Sequence, residues 1–421
     1  MNKLLIKASI EILEESFTKN IPADIQLSYF FKKNRYLGSH DRSDIAELYY
    51  GIIRNRKLLE EIVGSKNLNK AILIYFLIVQ GRSIKDLSLF AEEHEIEWLL
   101  EKKKNKKQID SWPTKLSLPE WIWDKLISTY GEEESIKLGS ALLNPAPLNI
   151  RVNSLRNISV KEVVKELKKT FNSSKEKISE TKLSKLGVSL PRGSAIQKHK
   201  LFLNGSIEVQ EEGSQLLTYL LDVKRGNMVA DFCAGAGGKT LGLSAMMKNT
   251  GRIYAFDISD KRLANLKQRL KRSGASNIWM QRIHNENDLK IKRLRNKFDR
   301  VLVDAPCTGL GTLRRNPDLK WRQTKNSLNE MVIKQSSILQ AASKLCKKGA
   351  YLVYATCSIL EDENEKVVAS FLNSNKNFKI IPQHNIMKKY GIDLGSDDFL
   401  KLTTHQHKTD SFFGALMERV D

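Results

Sequence analysis

Two apolar runs of the chain each end in a cysteine: VDAPCTG, residues 303–309, holds Cys307, and YLVYATCS, residues 351–358, holds Cys357. A thiol at a strand-to-turn junction is open to whatever binds there, and its thiolate is a strong nucleophile. Both residues are therefore candidates for covalent catalysis. Cys346, in ILQAASKLC, instead reads as a space-filling residue of a helix. Together with Cys233 these four cysteines show no C-x-x-C spacing for zinc, and they are too few to staple 421 residues with disulfides. No metal is expected, and free thiols suit a reducing compartment.

Cys233 lies in DFCAGAGGKT, residues 231–240. The Gly-Lys-Thr ending suggests a phosphate-binding loop, but G-x-x-x-x-G-K-[ST] needs a glycine where Cys233 stands. The remaining readings are a purely structural tight turn and a glycine-rich cofactor turn. In the second, Gly235, Gly237 and Gly238 let a ligand lie against backbone amides at a helix start. Asp257, closing the next apolar run YAFDIS, is placed to hold ribose hydroxyls.

These residues need a scaffold, and the rhythm of the chain supplies one. Residues 1–140 show only helical periodicity, as in SDIAELYYGIIRNRKLLEEIV and NKAILIYFLIVQ. The lysine run EKKKNKKQ, residues 101–108, reads as a surface connection, either a solvated face or an RNA contact. Residues 141–222 mix strands (PLNIRVN, LFLNGSIEVQ) with the helix SVKEVVKELKKTF, and NSSKEKISETKLSK reads as a flexible insertion. From 223 to 421, apolar runs alternate with amphipathic helices, which predicts an α/β Rossmann-like domain: a mostly parallel sheet with helices on both faces. Ligands of such sheets bind beyond the carboxyl ends of the strands, where Cys233, Asp257, Asp304 and Cys357 all fall.

Lys and Arg outnumber Asp and Glu by 70 to 48, a net charge of +22. So large an excess favours a polyanion, of which nucleic acid is the commonest. No apolar run approaches the ~20 residues of a spanning helix, so no membrane is expected. MNKLLIKASIEILEESF begins like a signal peptide, but Glu11, Glu14 and Glu15 interrupt it, and an amphipathic helix of a cytoplasmic protein is expected.

DFCAGAGGKT, VDAPCTGLGTLRRNPDLKW and YATCSILEDEN resemble the signature blocks of the RsmB/NOL1/NOP2/Sun family of RNA cytosine-5 methyltransferases. PLNIRVNSL and IEVQEEGSQL look like its pre-catalytic segment, and TDSFFGALMERV is similar to its last strand. The helical part, with DRSDIAELYYGIIRNRKLL, resembles the NusB-like RNA-binding domain of the bacterial RsmB branch. The resemblance implies a monomeric, S-adenosylmethionine-dependent enzyme that methylates carbon 5 of cytosine in RNA rather than DNA, with 16S ribosomal RNA the expected substrate.

The same resemblance assigns roles. Cys357 would add to carbon 6 of the ring, and Cys307 would assist removal of the carbon 5 proton and release of the adduct. Asp304 would face ring nitrogen 3, the alternative being a strand-end acid that caps its turn. Lys239 would support that site or the cofactor loop. Cofactor contacts are implied at Cys233, Ala234, Gly235, Ala236, Gly237, Gly238, Lys239, Asp257, Asp304 and Arg262, although Arg262 could serve only as a helix-surface salt bridge. Arg314, Arg315 and Lys320 of RRNPDLKW could clamp phosphates while Trp321 stacks, or the loop could be structural with Trp321 in a core. Two departures stand out. His284 or Asn285 occupies the place where the family often has an acid near the adenine, and the usual Asp-Gly-Phe-Phe reads Asp410-Ser411-Phe412-Phe413. The rival functions are an RNA-stimulated NTPase, opposed by Cys233, and a non-catalytic RNA-binding or antitermination factor, opposed by the presence of both thiols.

Overall fold

The computed structural model describes residues 3–104, 108–171 and 177–421. It contains two compact units. One takes the chain up to Asn144 together with Leu313–Thr324, and the other holds Pro145–Thr312 and Lys325–Asp421.

The first unit has no strand among its described residues. Its longest helix, Ser39–Val63, buries Ile45, Leu48, Tyr49, Ile52, Ile53 and Leu59, a stripe spaced by three and four residues. Gly64 at φ 75° ends it in the left-handed region. Leu313–Thr324 packs here, although the sequence reading placed it with the catalytic domain. Lys320 is buried and donates from Nζ to the Arg54 carbonyl at 2.7 Å, and Trp321 donates from Nε1 to the Ile53 carbonyl at 2.8 Å. Burial and the neighbouring Arg54 hold the Lys320 amine well below the usual lysine range. The phosphate-clamp reading of Lys320 is therefore corrected, and the structural alternative, with Trp321 against the helical core, is the one found.

The second unit has two sheets. The smaller is antiparallel, with β1 (Leu148–Val152), β2 (Ser179–Glu180), β3 (Gly187–Leu190) and β4 (Ile207–Val209) in the order β2-β3-β1-β4. Part of the expected insertion is thus strand β2, while its residues 172–176 lie outside the described ones. LFL, read as strand, is instead the short helix Lys200–Leu203.

The larger sheet comprises β5 (Met228–Asp231), β6 (Arg252–Asp257), β7 (Ile278–Arg282), β8 (Phe298–Asp304), β9 (Cys346–Thr356), β10 (Phe378–Ile380), β11 (Leu400–Leu402) and β12 (Phe412–Arg419). Its order is β10-β12-β9-β8-β5-β6-β7, with β11 pairing β12. Strands β5 to β9 are parallel, and β12 runs antiparallel to β9. Alternate strand residues feed two cores. Val229, Ile253, Leu302 and Val353 meet Leu216, Leu241 and Leu263, whereas Ala230, Val301, Val303 and Leu352 meet Ile338, Leu339 and Val367. Helices therefore cover both faces, as expected. The chain passes from β7 back across to β8 on the other side of β5, so the carboxyl ends of β5 and β8 flank the switch point where such sheets bind ligands. Cys346 opens β9 rather than lying in a helix, which ends at Ser343; it is fully buried, and burial pushes its thiol up to about 12.

Candidate active site

The turn after β5 is built by backbone conformation. Gly235 (φ 56°) and Gly237 (φ 83°) are left-handed. A Cβ on Gly237 would lie 2.1 Å from Leu266 Cδ1, whereas one on Gly235 would meet nothing within 4 Å. Gly237 thus packs against the next helix, and Gly235 faces open space. The helix Gly238–Met246 starts immediately, leaving its first amides without intrahelical acceptors. Asp257, at the end of β6, is nearly buried; it accepts from Gly235 N at 2.9 Å and from Ser259 N at 2.8 Å. Arg262 is largely exposed, with Nη1 3.9 Å from Asp257 Oδ2. Burial pushes the Cys233 thiol well above its ordinary value, which suits a wall and not a nucleophile.

The thiols lie at neighbouring strand ends because Asp304 of β8 pairs in register with Ala355 of β9. Cys307 Sγ and Cys357 Sγ are 3.4 Å apart. The hydrogen bond with Cys357, and then burial, raise the Cys307 thiol well above the usual cysteine range. From the glycine turn, Lys239 extends Nζ to Asp304 Oδ2 at 2.7 Å and over the Phe412 ring at 5.9 Å. Burial disfavours the ammonium, but the Asp304 carboxylate and the Cys357 sulfur outweigh it, so Lys239 is held protonated. Asp304 does not cap its own turn; its partner is Lys239. Glycine turn, lysine, acid and both sulfurs thus gather at the carboxyl ends of β5, β8 and β9.

His284 and Asn285 are exposed just past β7. Glu286 turns onto Lys334 at 2.6 Å and Ser337 at 2.7 Å, and Asp288 accepts from the His284 and Lys290 amides. Both acids of that stretch are engaged within the protein. Ser411, in place of the family's glycine, has no positive φ, and its hydroxyl lies 3.0 Å from Thr404 Oγ1.

Three side chains about the site went unread in the sequence. Arg151 of β1 donates to the Gly238 carbonyl at 3.0 Å, and Arg269 donates to the Ala236 carbonyl at 3.0 Å while pairing with buried Glu208 of β4. The small sheet therefore grips the glycine turn. Glu363, fully buried, accepts from Thr308 N (2.8 Å), Thr308 Oγ1 (2.5 Å), Gln335 Nε2 (2.9 Å) and Ser358 Oγ. A charged residue inside an apolar strand at Arg151, and a hydroxyl residue directly after Cys307 and after Cys357, were the available signals.

Residues 218–418 match the family described as 16S rRNA methyltransferase RsmB/F, and residues 118–193 match the ferredoxin-like domain of RsmF/B-like methyltransferases. A probable ribosomal RNA small subunit methyltransferase B of Bacillus subtilis is 30% identical over 309 residues, spanning 73% of this chain and 67% of that protein. The chain belongs to the RsmB/F family. The ribosomal RNA small subunit methyltransferase B of Yersinia pseudotuberculosis is 37% identical over 172 residues, 40% of this chain and 38% of its own length. Among solved structures, a methyltransferase homolog from Pyrococcus horikoshii aligns at TM-score 0.60 and 31% identity, covering 73% of this chain and 97% of its own. The crystal structure of PH0851 aligns at TM-score 0.77 and 27% identity, covering 99% of both chains. The cofactor of this family is S-adenosylmethionine, and the residues present fit it: a bare glycine facing open space, helix-start amides, and an anchored carboxylate for hydroxyl groups.

Proposed function

We propose that this chain transfers a methyl group from S-adenosylmethionine to carbon 5 of a cytosine in RNA, with 16S ribosomal RNA as the substrate and residues 1–140 as an RNA-binding domain. The observation that carries the reading is the pair of sulfurs 3.4 Å apart beside a charged Lys239. Carbon 5 of cytosine is a weak nucleophile until a thiolate adds at carbon 6, and a single thiol then faces a second task, release of the adduct. Two adjacent thiols divide that work. S-adenosylmethionine, when bound, supplies an electrophilic methyl group whose sulfonium sulfur leaves as a neutral thioether.

In this reading Cys357 bonds to carbon 6 of the ring. Asp304 faces ring nitrogen 3 of the base, and the Lys239 ammonium beside it offsets the negative charge that builds in the ring. Cys307 takes the carbon 5 proton, after which the sulfur–carbon bond at Cys357 breaks. The target must be unstacked for carbons 5 and 6 to be reached, so an unpaired nucleotide is expected.

Cys357→Ala should lower methyl transfer to below about a thousandth of wild type while RNA binding persists. Cys307→Ala should accumulate a covalent protein–RNA adduct, visible as a slow band on a denaturing gel. Bisulfite sequencing of ribosomal RNA from cells with and without the gene would identify the modified cytosine. Transfer by the Cys357→Ala protein would refute the reading.

A further inference from the structure

Glu363 stands out among the buried acids because both of its neighbours in the fold are the catalytic loops. It closes the short turn Glu361–Glu363, and its Oε1 accepts from the Thr308 amide and from Gln335, its Oε2 from the Thr308 and Ser358 hydroxyls. Thr308 follows Cys307 and Ser358 follows Cys357, so one carboxylate spans the two thiol loops. Two amide groups and two hydroxyls thus converge on this one carboxyl group. Among the described residues no lysine or arginine forms an ion pair with it, so its charge is left to act on the titratable groups nearby.

Two thiolates 3.4 Å apart would repel, so once one thiol of the pair has ionised the other holds its proton more tightly. The site is polarised across that pair. The Lys239 ammonium acts on Cys357, whereas Glu363 acts on Cys307 and on the buried Tyr354 phenol. Asp304 stands beyond Lys239 as its ion-pair partner. We propose that Glu363 is a positioning residue that fixes the spacing of the two thiols and keeps their shared proton on Cys307, making Cys357 the sulfur that ionises.

This inference rests on the two-thiol reading above and completes its proton balance. In the reactive form of the pair the Cys307 thiol donates to the Cys357 thiolate. Once the Cys357 sulfur bonds to carbon 6, that hydrogen bond is lost and Cys307 releases its proton to water. The Cys307 thiolate then accepts the carbon 5 proton, the electrons of the carbon–hydrogen bond restore the ring double bond, and Cys357 leaves as thiolate. Each cycle returns the starting pair and delivers one proton to solvent.

The test is site-resolved alkylation of the RNA-free protein with iodoacetamide, quantified by mass spectrometry from about pH 6 to about pH 10, with each rate reduced to its titration midpoint so that access cancels. In wild type, Cys357 should have the lower midpoint, and at neutral pH it should react at least about tenfold faster relative to its own plateau. Glu363→Gln removes the negative charge beside Cys307, so the Cys307 midpoint should fall and the preference should shrink to about threefold or less, while Glu363→Asp should retain more of it. A wild-type Cys307 that titrates first, or a Glu363→Gln protein with unmoved midpoints, would overturn the proposal. If Glu363→Gln fails to fold, the wild-type order still decides, together with Lys239→Met, in which the Cys357 midpoint must rise. Methylation by Cys357→Ala is scored separately: activity there sinks the two-thiol reading, whereas normal methylation chemistry with unmoved midpoints sinks only the role of Glu363.

Discussion

The glycine turn at 235–238 and the thiol loops at 307–309 and 357–359 occupy the same edge of one sheet, yet they are held by different means. The turn is held by backbone: two left-handed glycines, a carboxylate bonded to an amide, and two arginines on carbonyls. The thiol loops are held by side chains, because the residue after each cysteine is tied to Glu363, fifty-five residues beyond Thr308. Gly311 joins them, donating to the Cys357 carbonyl at 2.9 Å. The glycine turn depends on residue type at its own positions as well as on Asp257, Arg151 and Arg269, which the fold brings to it. A clamp depends on partners brought together only by the fold.

Gly237→Ala is the sharpest way to break that contrast. The new Cβ would stand 2.1 Å from Leu266 Cδ1 at a φ of 83°. Left-handed strain and overpacking together should cost about 2–5 kcal/mol. Calorimetric titration with S-adenosylhomocysteine should show loss of cofactor binding, and urea unfolding should show the destabilisation. A variant with wild-type affinity would mean that the turn is not held by its backbone geometry.

Asp231, at the root of the turn, probes whether a side chain also matters there. It is buried, takes a hydrogen bond from Thr240 Oγ1 at 2.7 Å, and burial pushes its carboxyl up to about 7. The folded state therefore favours the protonated acid. That contribution is complete below the unfolded value near 4 and is lost as pH rises through about 7. Asp231→Asn should consequently gain on wild type by about 2–3 kcal/mol between pH 5 and pH 8. Urea midpoints of the two proteins at both pH values check this, and a pH-independent difference would place the titration elsewhere.

The same contrast explains how much could be read in advance. The parallel sheet was legible because each strand and helix of residues 223–421 carries its own periodicity, and the glycine turn because only glycine takes those φ values against a packed helix. LFLN failed because four residues cannot separate strand from helix by period. Cys346 was assigned to the preceding helix because nothing in KLCKKG marks the change to strand. Lys320 and Trp321 stayed open for a different reason: basic and aromatic residues in a loop suit RNA and a core equally, and only the Arg54 and Ile53 carbonyls decide. Glu363 was hidden among the acids of ILEDEN, where burial, not sequence, singles it out.

Thr308→Val tests the side-chain clamp without touching a sulfur. It keeps the shape and removes the hydroxyl donor to Glu363, leaving buried carboxylate capacity unfilled, a loss of about 1–3 kcal/mol. Chemical unfolding should register this loss while the affinity for S-adenosylhomocysteine stays at wild type, because the glycine turn does not depend on that clamp. Parallel losses in both measurements would show the two regions to be one cooperative element.

Ser411→Gly should have the smallest effect. Ser411 N donates to the Gly311 carbonyl at 2.9 Å, and a Cβ on Gly311 would lie 2.2 Å from the Ser411 carbonyl, so the two backbones are already in contact beside the Cys357 loop. Glycine at 411 keeps that contact and loses only the hydroxyl, which accepts from Thr404 N at 3.2 Å and lies against Thr404 Oγ1. The loss of one hydrogen-bonding group and the added chain entropy should cost about 1 kcal/mol, read as a small drop in melting temperature with methyl transfer unchanged. Because Ser411 has no positive φ, the backbone does not call for glycine there, and the substitution should not raise activity. A gain in methyl transfer would mean that the hydroxyl, and not the backbone beside Gly311, sets the shape of the thiol loop.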